Sequence, residues 1–259
     1  MYEKEVRAAT KAVRSAGVIL KKAWQKPQHI TIKENWHEVV TEADKKADAI
    51  IRKIITSAFP KHSFISEESP PKKGNEFTWY IDPLDGTTNF ITHVPFFCSA
   101  AGLLKGDTPI IGAVYNPAMN ELFCSNGSNA FLNGKIIHAS KNADIRKTLV
   151  NYCHKNTPDD VGRIAKVFVT LKLKSRDLRR LGSGNLDICY VACGRNDAYF
   201  SSSRIWDIAP ALAIARAAGC KITDWSGAKW RIDSPNIVIT NGTKIHDDLI
   251  AVLSTIADL

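Results

Sequence analysis

The sequence lacks any apolar run of membrane-spanning length, and its N-terminal stretch, MYEKEVRAATKAVRSAG, carries charges where a secretory signal needs an apolar core. It contains no internal repeat and no low-complexity tract. The seven histidines show neither the spacing of a catalytic triad nor that of a metal site, so we assign them no role. We therefore expect a globular, cytoplasmic protein that has no membrane partner.

The cysteines are even in number but form no recognisable framework. They lie in apolar contexts, which favours reduced side chains in the core. Cys189 and Cys193 are spaced i, i+4 on a predicted helix, yet no nearby His or Cys pair completes a tetrahedral zinc site. A zinc or redox protein is therefore the weaker alternative. The six positions are 98, 124, 153, 189, 193 and 220.

The chain of 259 residues is long enough for one large domain or two of ordinary size. Its net charge of +9 favours anionic ligands, from sugar phosphates to RNA. The densest basic run is KLKSRDLRR at 172–180, which we interpret as a solvated loop or strand edge. A phosphate or nucleic-acid contact is the alternative, although the run lacks the interleaved aromatic residues that stack on bases.

Hydrophobic periodicity divides the chain into an α+β half at 1–143 and an α/β half at 144–259. The first half has amphipathic helices at 2–24 and 41–59 and strands at 62–68 and 78–81. The strands at 96–104, 110–115, 121–124 and 130–137 are predicted to form an antiparallel sheet. The second half has strands at 148–153, 178–181, 197–201, 221–225 and 236–240. Its predicted helices lie at 159–171, 185–193 and 247–257, and a further helix begins at 206. Residues 27–35 are predicted to form a loop or short strand, in which Lys33 faces substrate or solvent.

The most informative stretch is WYIDPLDGTTNF at 79–90. A β-favouring run ends at Asp82-Pro83, which sets Asp82 and Asp85 across a tight turn that Gly86 permits. The following Thr87-Thr88-Asn89 can open a short helix whose free N–H groups would hold a phosphate. Hard carboxylates beside an anion site indicate Mg²⁺-assisted phosphoryl chemistry. An Asx-rich turn with a helix cap is the structural alternative.

This stretch resembles the first signature of the inositol monophosphatase family of Mg²⁺-dependent phosphatases. VVTEAD at 39–44, HSFISEE at 62–68 and WDIAPALAIARAAGC at 206–220 resemble further family segments in the right order, so the resemblance covers essentially the whole chain. It implies a layered αβαβα sandwich of the inositol monophosphatase and fructose-1,6-bisphosphatase type. It also implies a homodimer and sensitivity to lithium.

The resemblance implies two to three Mg²⁺ ions. Glu67, Asp82 and the backbone carbonyl of Leu84 would hold one ion, and Asp82, Asp85 and Asp207 a second, with a looser third ion near Glu67. Considered alone, Asp207 is only an acidic residue in a first helical turn, where the helix dipole favours it.

The resemblance also implies the catalytic roles. Thr87 and Asp44 would help to deprotonate the attacking water, while spacing alone explains Asp44 as the partner of Thr41 in a helix-capping box. The substrate would contact Asp85, the amides of Gly86 and Thr87, the turn Gly182, Ser183 and Gly184, and Ser201.

The substrate class is a small phosphorylated metabolite, and inositol-1-phosphate or a related sugar or polyol phosphate is the first choice. Relatives that prefer inositol phosphate carry a Glu shortly after the Tyr-Phe strand, but the segment here is YFSSSRIWD at 199–207. Ser201 can still bind hydroxyl groups, and Arg204 can reach an anionic group. Nucleotide 3′(2′),5′-bisphosphate, histidinol phosphate and fructose bisphosphate stay open.

A different class of function follows from two other segments. RRLGSG at 179–184 and YVACGR at 190–195 resemble the bacterial extragenic-suppressor type of relative, which also binds the transcription machinery and assists ribosomal RNA synthesis. This implies RNA polymerase or antitermination factors as additional partners.

Overall fold

The structure, a computed structural model, describes residues 2–26, 30–32 and 39–256. Lys33 and the end of the predicted last helix at Ala257 lie outside the described residues. The helices are α1 Glu3–Trp24, α2 Glu42–Ala58, α3 Thr87–Ile91, α4 Pro158–Lys174, α5 Gly184–Ala192, α6 Ala209–Ala217 and α7 Ile245–Leu253, with 3-10 turns at Ile145–Lys147, Ile205–Asp207 and Ser254–Ile256.

Fourteen strands lie in the described ranges. They are β1 Ile30–Ile32, β2 Val39–Thr41, β3 Ser63–Ser66, β4 Phe77–Asp85, β5 Cys98–Lys105, β6 Thr108–Asn116, β7 Glu121–Ser125, β8 Ala130–Leu132, β9 Lys135–Ile137, β10 Leu149–Cys153, β11 Asp177–Arg179, β12 Ala198–Ser201, β13 Lys221–Thr223 and β14 Ile237–Thr240. Strands β1 and β2 form a small antiparallel sheet of their own.

The first large sheet has the order β3-β4-β5-β6-β7-β8-β9. Strands β5 to β9 pair antiparallel, as predicted for the strands at 96–137. Strand β4 is antiparallel to β5 but parallel to β3, and no direction was predicted from the sequence for that pair. A crossover of residues 67–76 connects these two strands and lets β3 run in the same direction as β4.

The second sheet has the order β11-β10-β12-β14-β13. Strand β10 is parallel to both β11 and β12, whereas β14 is antiparallel to both β12 and β13, so this sheet is mixed. The basic run 172–180 ends α4 and supplies β11, which is an edge strand, as the sequence predicted. There Asp177 pairs with both Lys172 and Arg179.

The elements stack in five layers. Helices α1 and α2 pack on one face of the seven-stranded sheet, and α5 and α6 lie between the two sheets. Helices α4 and α7 cover the far face of the five-stranded sheet. The predicted αβαβα sandwich is therefore confirmed.

The two halves of the chain share one core. Cys98, Val114 and Phe123 of the first half pack against Leu186 and Leu212 of the second. All six cysteines are free thiols and are buried or half-buried, as expected of core residues. A boundary near residue 143 stays a prediction.

Helix α6 approaches the seven-stranded sheet at two glycines. A Cβ added at Gly102 would lie 2.5 Å from the Cα of Pro210, and one at Gly112 would overlap the Pro210 carbonyl oxygen. Because the obstacle is backbone, it cannot rotate away as a side chain can. The two glycines thus fix how closely α6, and the segment that leads into it, sits against the sheet.

None of the helices in the described part of the chain combines the length and the apolar character that a bilayer-spanning helix requires.

We predict that Gly112→Ala lowers the free energy of unfolding by about 1–3 kcal/mol, because α6 must shift to admit the methyl group. Gly162→Ala is the matched control, since its Cβ meets nothing within 4 Å on helix α4. It should raise the free energy of unfolding by up to about 1 kcal/mol, because alanine loses less backbone freedom than glycine when the helix folds. Urea unfolding of both variants gives the comparison, and equal effects would contradict the close approach of α6.

Candidate functional site

The predicted site begins where β4 ends. The strand was predicted to end at Asp82-Pro83, but it continues to Asp85. Its register with β5 is irregular between Asp82 and Asp85. Pairing with β5 resumes at Asp85, so both carboxylates lie at the carboxyl end of β4, which is an inner strand between β3 and β5. Gly86 then turns the chain at a φ of 87°, with a Cβ position only 3.0 Å from the Phe96 carbonyl oxygen. Only glycine fits there.

A cavity of about 180 Å³ opens at this turn. Its lining includes all five predicted metal ligands, Glu67, Asp82, Leu84, Asp85 and Asp207. It also includes the predicted substrate contacts Gly86, Thr87, Gly182 and Gly184. Residues from β4, the end of β3, the loop before α5 and the 3-10 turn before α6 therefore converge on one place.

Asp207 reaches the cavity from a different local structure than predicted. It ends the 3-10 turn Ile205–Asp207, and α6 begins only at Ala209. The Asp207 carboxylate accepts a hydrogen bond of 3.1 Å from the backbone N–H of Arg204. Asp207 was predicted to lie in the first turn of the helix that became α6. Pro210 favours the first turn of a helix, so α6 begins at Ala209 and Asp207 lies before it.

The carboxylates of the site line one cavity, where Asp82 and Asp85 are buried and Glu67 and Asp207 are half-buried. Burial raises the pKa of Asp82 well above its usual range, and the negative charges of Asp85, Glu67 and Asp207 raise it further. Burial also raises the pKa of Asp85 to about 6, against the opposing effect of the hydrogen bonds that it accepts. The pKa of Asp207 is raised well above its usual range by burial and then by the charge of Asp85. Ionised together, these groups repel one another strongly.

The donor set fits a hard divalent cation. Oδ1 of Asp82 is buried and has no hydrogen-bond partner among the described residues, which is unfavourable unless a cation meets it. Carboxylate and carbonyl oxygens are the ligands that Mg²⁺ prefers. Within the described ranges, no three Asp, Glu, His or Cys side chains already converge closely enough to hold an ion.

Asp44 sits at the start of α2, where the predicted capping box is present. Its Oδ2 accepts from both the backbone N–H and the hydroxyl of Thr41, at 2.8 and 2.5 Å. Its Oδ1 lies 3.4 Å from the hydroxyl of Thr87, which also donates to the Leu84 carbonyl at 3.1 Å. Burial raises the pKa of Asp44 to about 7, although both bonds from Thr41 lower it. The predicted Asp44–Thr87 pair is thus a long contact.

Hydrogen bonds that the sequence analysis did not predict hold the site together. Asp85 Oδ2 accepts from the Ser183 hydroxyl at 2.8 Å and from the Asn185 backbone N–H at 2.7 Å. Asn89 donates to the carbonyls of Phe96 and Leu181, both at 2.7 Å, and so ties α3 to the Gly-rich turn. Ser183 was predicted to contact substrate, but it is buried and does not line the cavity. Partners this far apart in sequence leave no local signal.

Ser201 also differs from its predicted place. It is fully buried on β12, and its hydroxyl bonds the Ser203 hydroxyl at 2.6 Å. Ser203, not Ser201, lines a second cavity that adjoins the first. Strand β12 lies between β10 and β14 and all four of its residues are buried, so Ser201 lines neither cavity.

Comparison with known proteins agrees with this geometry. The sequence model of a family described as "Inositol monophosphatase family" matches residues 1–257. The chain belongs to the inositol monophosphatase family. It is 37% identical to an inositol-1-monophosphatase of Synechocystis, over 93% of this chain and 85% of that protein. It is 36% identical to the Nus factor SuhB of Vibrio cholerae, over 90% of each chain. The solved Thermotoga maritima IMPase superposes with a TM-score of 0.87 at 31% identity, with 96% of each chain covered.

Membership of the inositol monophosphatase family supports phosphatase activity, and the fold agrees with that of the solved family members. The comparisons include both phosphatases and Nus factors at similar identity. Identity alone therefore does not separate a catalytic from a binding role.

We predict that Asp82→Asn stabilises the metal-free protein at high pH. Because the pKa of Asp82 is raised in the folded state, its ionisation destabilises the fold progressively as the pH rises above the unfolded pKa of about 4. At about pH 8 without divalent cations, the variant should gain about 1–3 kcal/mol in free energy of unfolding, and at about pH 4 nothing.

Urea unfolding in EDTA at both pH values measures this difference. Asp177→Asn is the control, because that exposed carboxylate has its pKa lowered to about 2 by Lys172 and Arg179. It should bring no gain at high pH. A gain for Asp82→Asn that does not depend on pH would contradict the electrostatic explanation.

Proposed function

We propose that this chain is a Mg²⁺-dependent phosphomonoesterase that hydrolyses a small phosphorylated metabolite, with inositol-1-phosphate or a related sugar or polyol phosphate as the first choice. The observation that carries the proposal is the buried cluster of carboxylates around Asp82, beside the glycine turn that opens α3. Family membership agrees with it.

Glu67, Asp82 and the carbonyl of Leu84 would hold one ion, and Asp82, Asp85 and Asp207 a second, with a third near Glu67. When bound, Mg²⁺ supplies Lewis-acid chemistry that polarises the phosphoryl group and offsets the charge that develops on the leaving oxygen. The bonds from Ser183 and Asn185 orient Asp85, so that only its other oxygen is left for the cavity.

Thr87 and Asp44 would handle the proton of the attacking water. The Thr87 hydroxyl can accept that proton as it passes its own to Asp44, whose Oδ1 is 3.4 Å away. A pKa of about 7 suits Asp44 to accept a proton near neutral pH and to release it again. The bonds from Thr41 fix the other oxygen of Asp44, which keeps Oδ1 directed at Thr87.

The phosphate would lie against the turn that begins α3. The backbone N–H groups of Gly86 and Thr87 stand at the start of this helix, where amides have no partner within the helix. Gly182 and Gly184 line the same cavity. The Gly182 carbonyl oxygen lies 3.2 Å from the position that a Cβ of Gly86 would take, so the two glycine turns adjoin. Because the usual inositol-binding Glu is absent and Ser201 is buried, nucleotide bisphosphates, histidinol phosphate and fructose bisphosphate remain alternatives.

A second candidate function rests on the Nus factor relatives. The chain is 32% identical to the Nus factor SuhB of Xylella fastidiosa and 36% identical to that of Vibrio cholerae. An additional role as a partner of RNA polymerase or antitermination factors is therefore proposed beside catalysis. A pulldown of RNA polymerase that is insensitive to Asp82→Asn would separate this role from hydrolysis.

Three further expectations accompany the proposal: a cytoplasmic location, inhibition by lithium and a homodimer. Sedimentation analysis would test the dimer.

We predict Mg²⁺-dependent release of phosphate from a panel of inositol phosphate, nucleotide bisphosphate, histidinol phosphate and sugar phosphates. Asp82→Asn should lower kcat/KM at least about 100-fold, because it removes charge from the centre of the cluster. Thr87→Val should cost about 100-fold or more through the lost hydroxyl, and Thr87→Ser, which retains it, should stay within about tenfold of wild type.

The matched Thr87 pair separates the hydroxyl from the shape of the side chain. Equal activity of the two variants would remove Thr87 from the proton route. No turnover of any substrate by folded protein that binds Mg²⁺ would overturn the enzymatic proposal and leave the binding role.

A further inference from the structure

Glu67 lies just beyond the end of β3, in a stretch that forms neither helix nor strand. The strand ends at Ser66, and the backbone N–H of Glu67 bonds the Ile81 carbonyl of β4 at 3.4 Å. A side chain on a loop is held less precisely than one on a helix or strand. Glu67 nevertheless reaches both the carboxylate cavity and the second cavity beside it. Its position therefore depends on what holds the neighbouring residues.

The stretch from 67 to 71, here called the Glu67 loop, is closed by the residues that flank it. Phe64 of β3 and Lys72 form an isolated antiparallel bridge. Each donates its backbone N–H to the carbonyl of the other at 2.9 Å. The bridge brings the ends of the loop together, but it is not adjacent to Glu67 and leaves the direction of that side chain to other contacts.

A buried hydrogen bond attaches the near end of the Glu67 loop to helix α2. The hydroxyl of Ser66 donates to Oδ1 of Asp48 at 2.5 Å. Asp48 is 6% exposed and Ser66 7%, so water competes little for this bond. A buried carboxylate that loses its partner is strongly unfavourable, which keeps the two side chains together. The residue that precedes Glu67 is therefore fixed to a helix.

Arg52 of the same helix holds the far end of the loop. Its Nη1 donates to the Ser69 hydroxyl at 2.5 Å and to the Pro70 carbonyl at 2.9 Å. Its guanidinium carbon also lies 5.0 Å from the ring centroid of Phe64 on β3. Because the guanidinium is planar and donates at fixed angles, it fixes Ser69 and Pro70 relative to the strand. The loop is thus attached to α2 on both sides of Glu67.

Asp44, Asp48 and Arg52 are spaced four residues apart and so lie along one face of α2. Asp44, the first of them, lies 3.4 Å from the Thr87 hydroxyl. Apolar residues of the helix pack into the core against α1 and the seven-stranded sheet, which makes α2 a rigid support. One helix therefore supports both the candidate proton route and the loop that carries a candidate cation ligand.

We propose that Asp48 and Arg52 are positioning residues that hold Glu67 in the place where it can bind the divalent cation. This inference rests on the proposed function, because it takes Glu67 as a cation ligand. Neither positioning residue lines either cavity, so both act through the Glu67 loop and not by contact with cation or substrate. When either attachment is lost, the loop must be ordered by the cation itself, and that cost appears as weaker binding.

Ser66→Ala tests the attachment to Asp48, because it removes the hydroxyl donor and leaves every charge in place. Loss of an outer residue that orients a metal ligand commonly weakens metal binding by about 10–100-fold. We therefore expect the Mg²⁺ affinity of Ser66→Ala, measured by calorimetry on the metal-free protein, to fall about tenfold.

Ser140→Ala is the matched control for Ser66→Ala. The Ser140 hydroxyl also donates at 2.5 Å to a buried carboxylate, that of Asp197, and neither residue lines the two cavities. Urea unfolding in EDTA should show a comparable loss of stability in the two variants, because each loses one buried hydrogen bond. The Mg²⁺ affinity of Ser140→Ala should nevertheless equal that of wild type.

Arg52→Gln tests the far attachment, and here charge and positioning predict opposite results. Removing a positive charge near the site would by itself favour cation binding, whereas loss of the attachment weakens it. We expect an Mg²⁺ affinity about tenfold weaker than that of wild type. Lys53→Gln is the matched control, because it removes the same charge from the next, exposed residue of α2. It should not weaken binding.

Hydrogen exchange of the metal-free protein gives a second readout that needs neither Mg²⁺ binding nor turnover. The backbone amides at 67–69 should exchange faster in Ser66→Ala and in Arg52→Gln than in wild type, because the loop opens more often. The same amides should be unchanged in Ser140→Ala and Lys53→Gln.

The outcomes separate the two proposals. Unchanged Mg²⁺ affinity in Ser66→Ala would remove Asp48 from this role, unchanged affinity in Arg52→Gln would remove Arg52, and both together would overturn the inference while the phosphatase stands. An equal loss of affinity in Ser140→Ala would assign the effect to general destabilisation and also overturn it. If wild type binds Mg²⁺ but hydrolyses no substrate, the phosphatase fails and the affinities still decide the role of α2. Absence of Mg²⁺ binding by wild type would overturn both.

Discussion

The mutual repulsion of buried carboxylates around Asp82 is the constraint on which the site depends. Asp82 and Asp85 are buried and Asp207 is half-buried, and burial and mutual charge raise the pKa of all three. A protein that retains such an arrangement sacrifices stability unless a cation compensates the charge. The same cost makes Oδ1 of Asp82, which has no hydrogen-bond partner in the part of the chain that the structure describes, the strongest single indication of a metal-dependent function.

The layered fold keeps this unfavourable cluster in place. Asp82 and Asp85 come from the seven-stranded sheet, whereas Asp207 comes from the segment before α6, and the contact of Pro210 with Gly102 and Gly112 sets their separation. The Ser183 hydroxyl, which could have capped α5, bonds Asp85 instead. Residues of the second half of the chain therefore orient a carboxylate of the first half. The shared core between the sheets makes that orientation rigid.

The sequence by itself determined the family, the layered sandwich and most of the residues that meet in the first cavity, though not the places of Ser183 and Ser201, because the segments at 79–90 and 206–220 are recognisable locally. The capping box of Thr41 and Asp44 and the glycine turn at Gly86 needed no tertiary information. Only the tertiary structure decided that β3 runs parallel to β4, that Ser183 holds Asp85, and that Ser201 is buried while Ser203 faces a cavity. Strand direction and side-chain partners separated by about a hundred residues depend on how distant segments pack, and no local pattern encodes that packing.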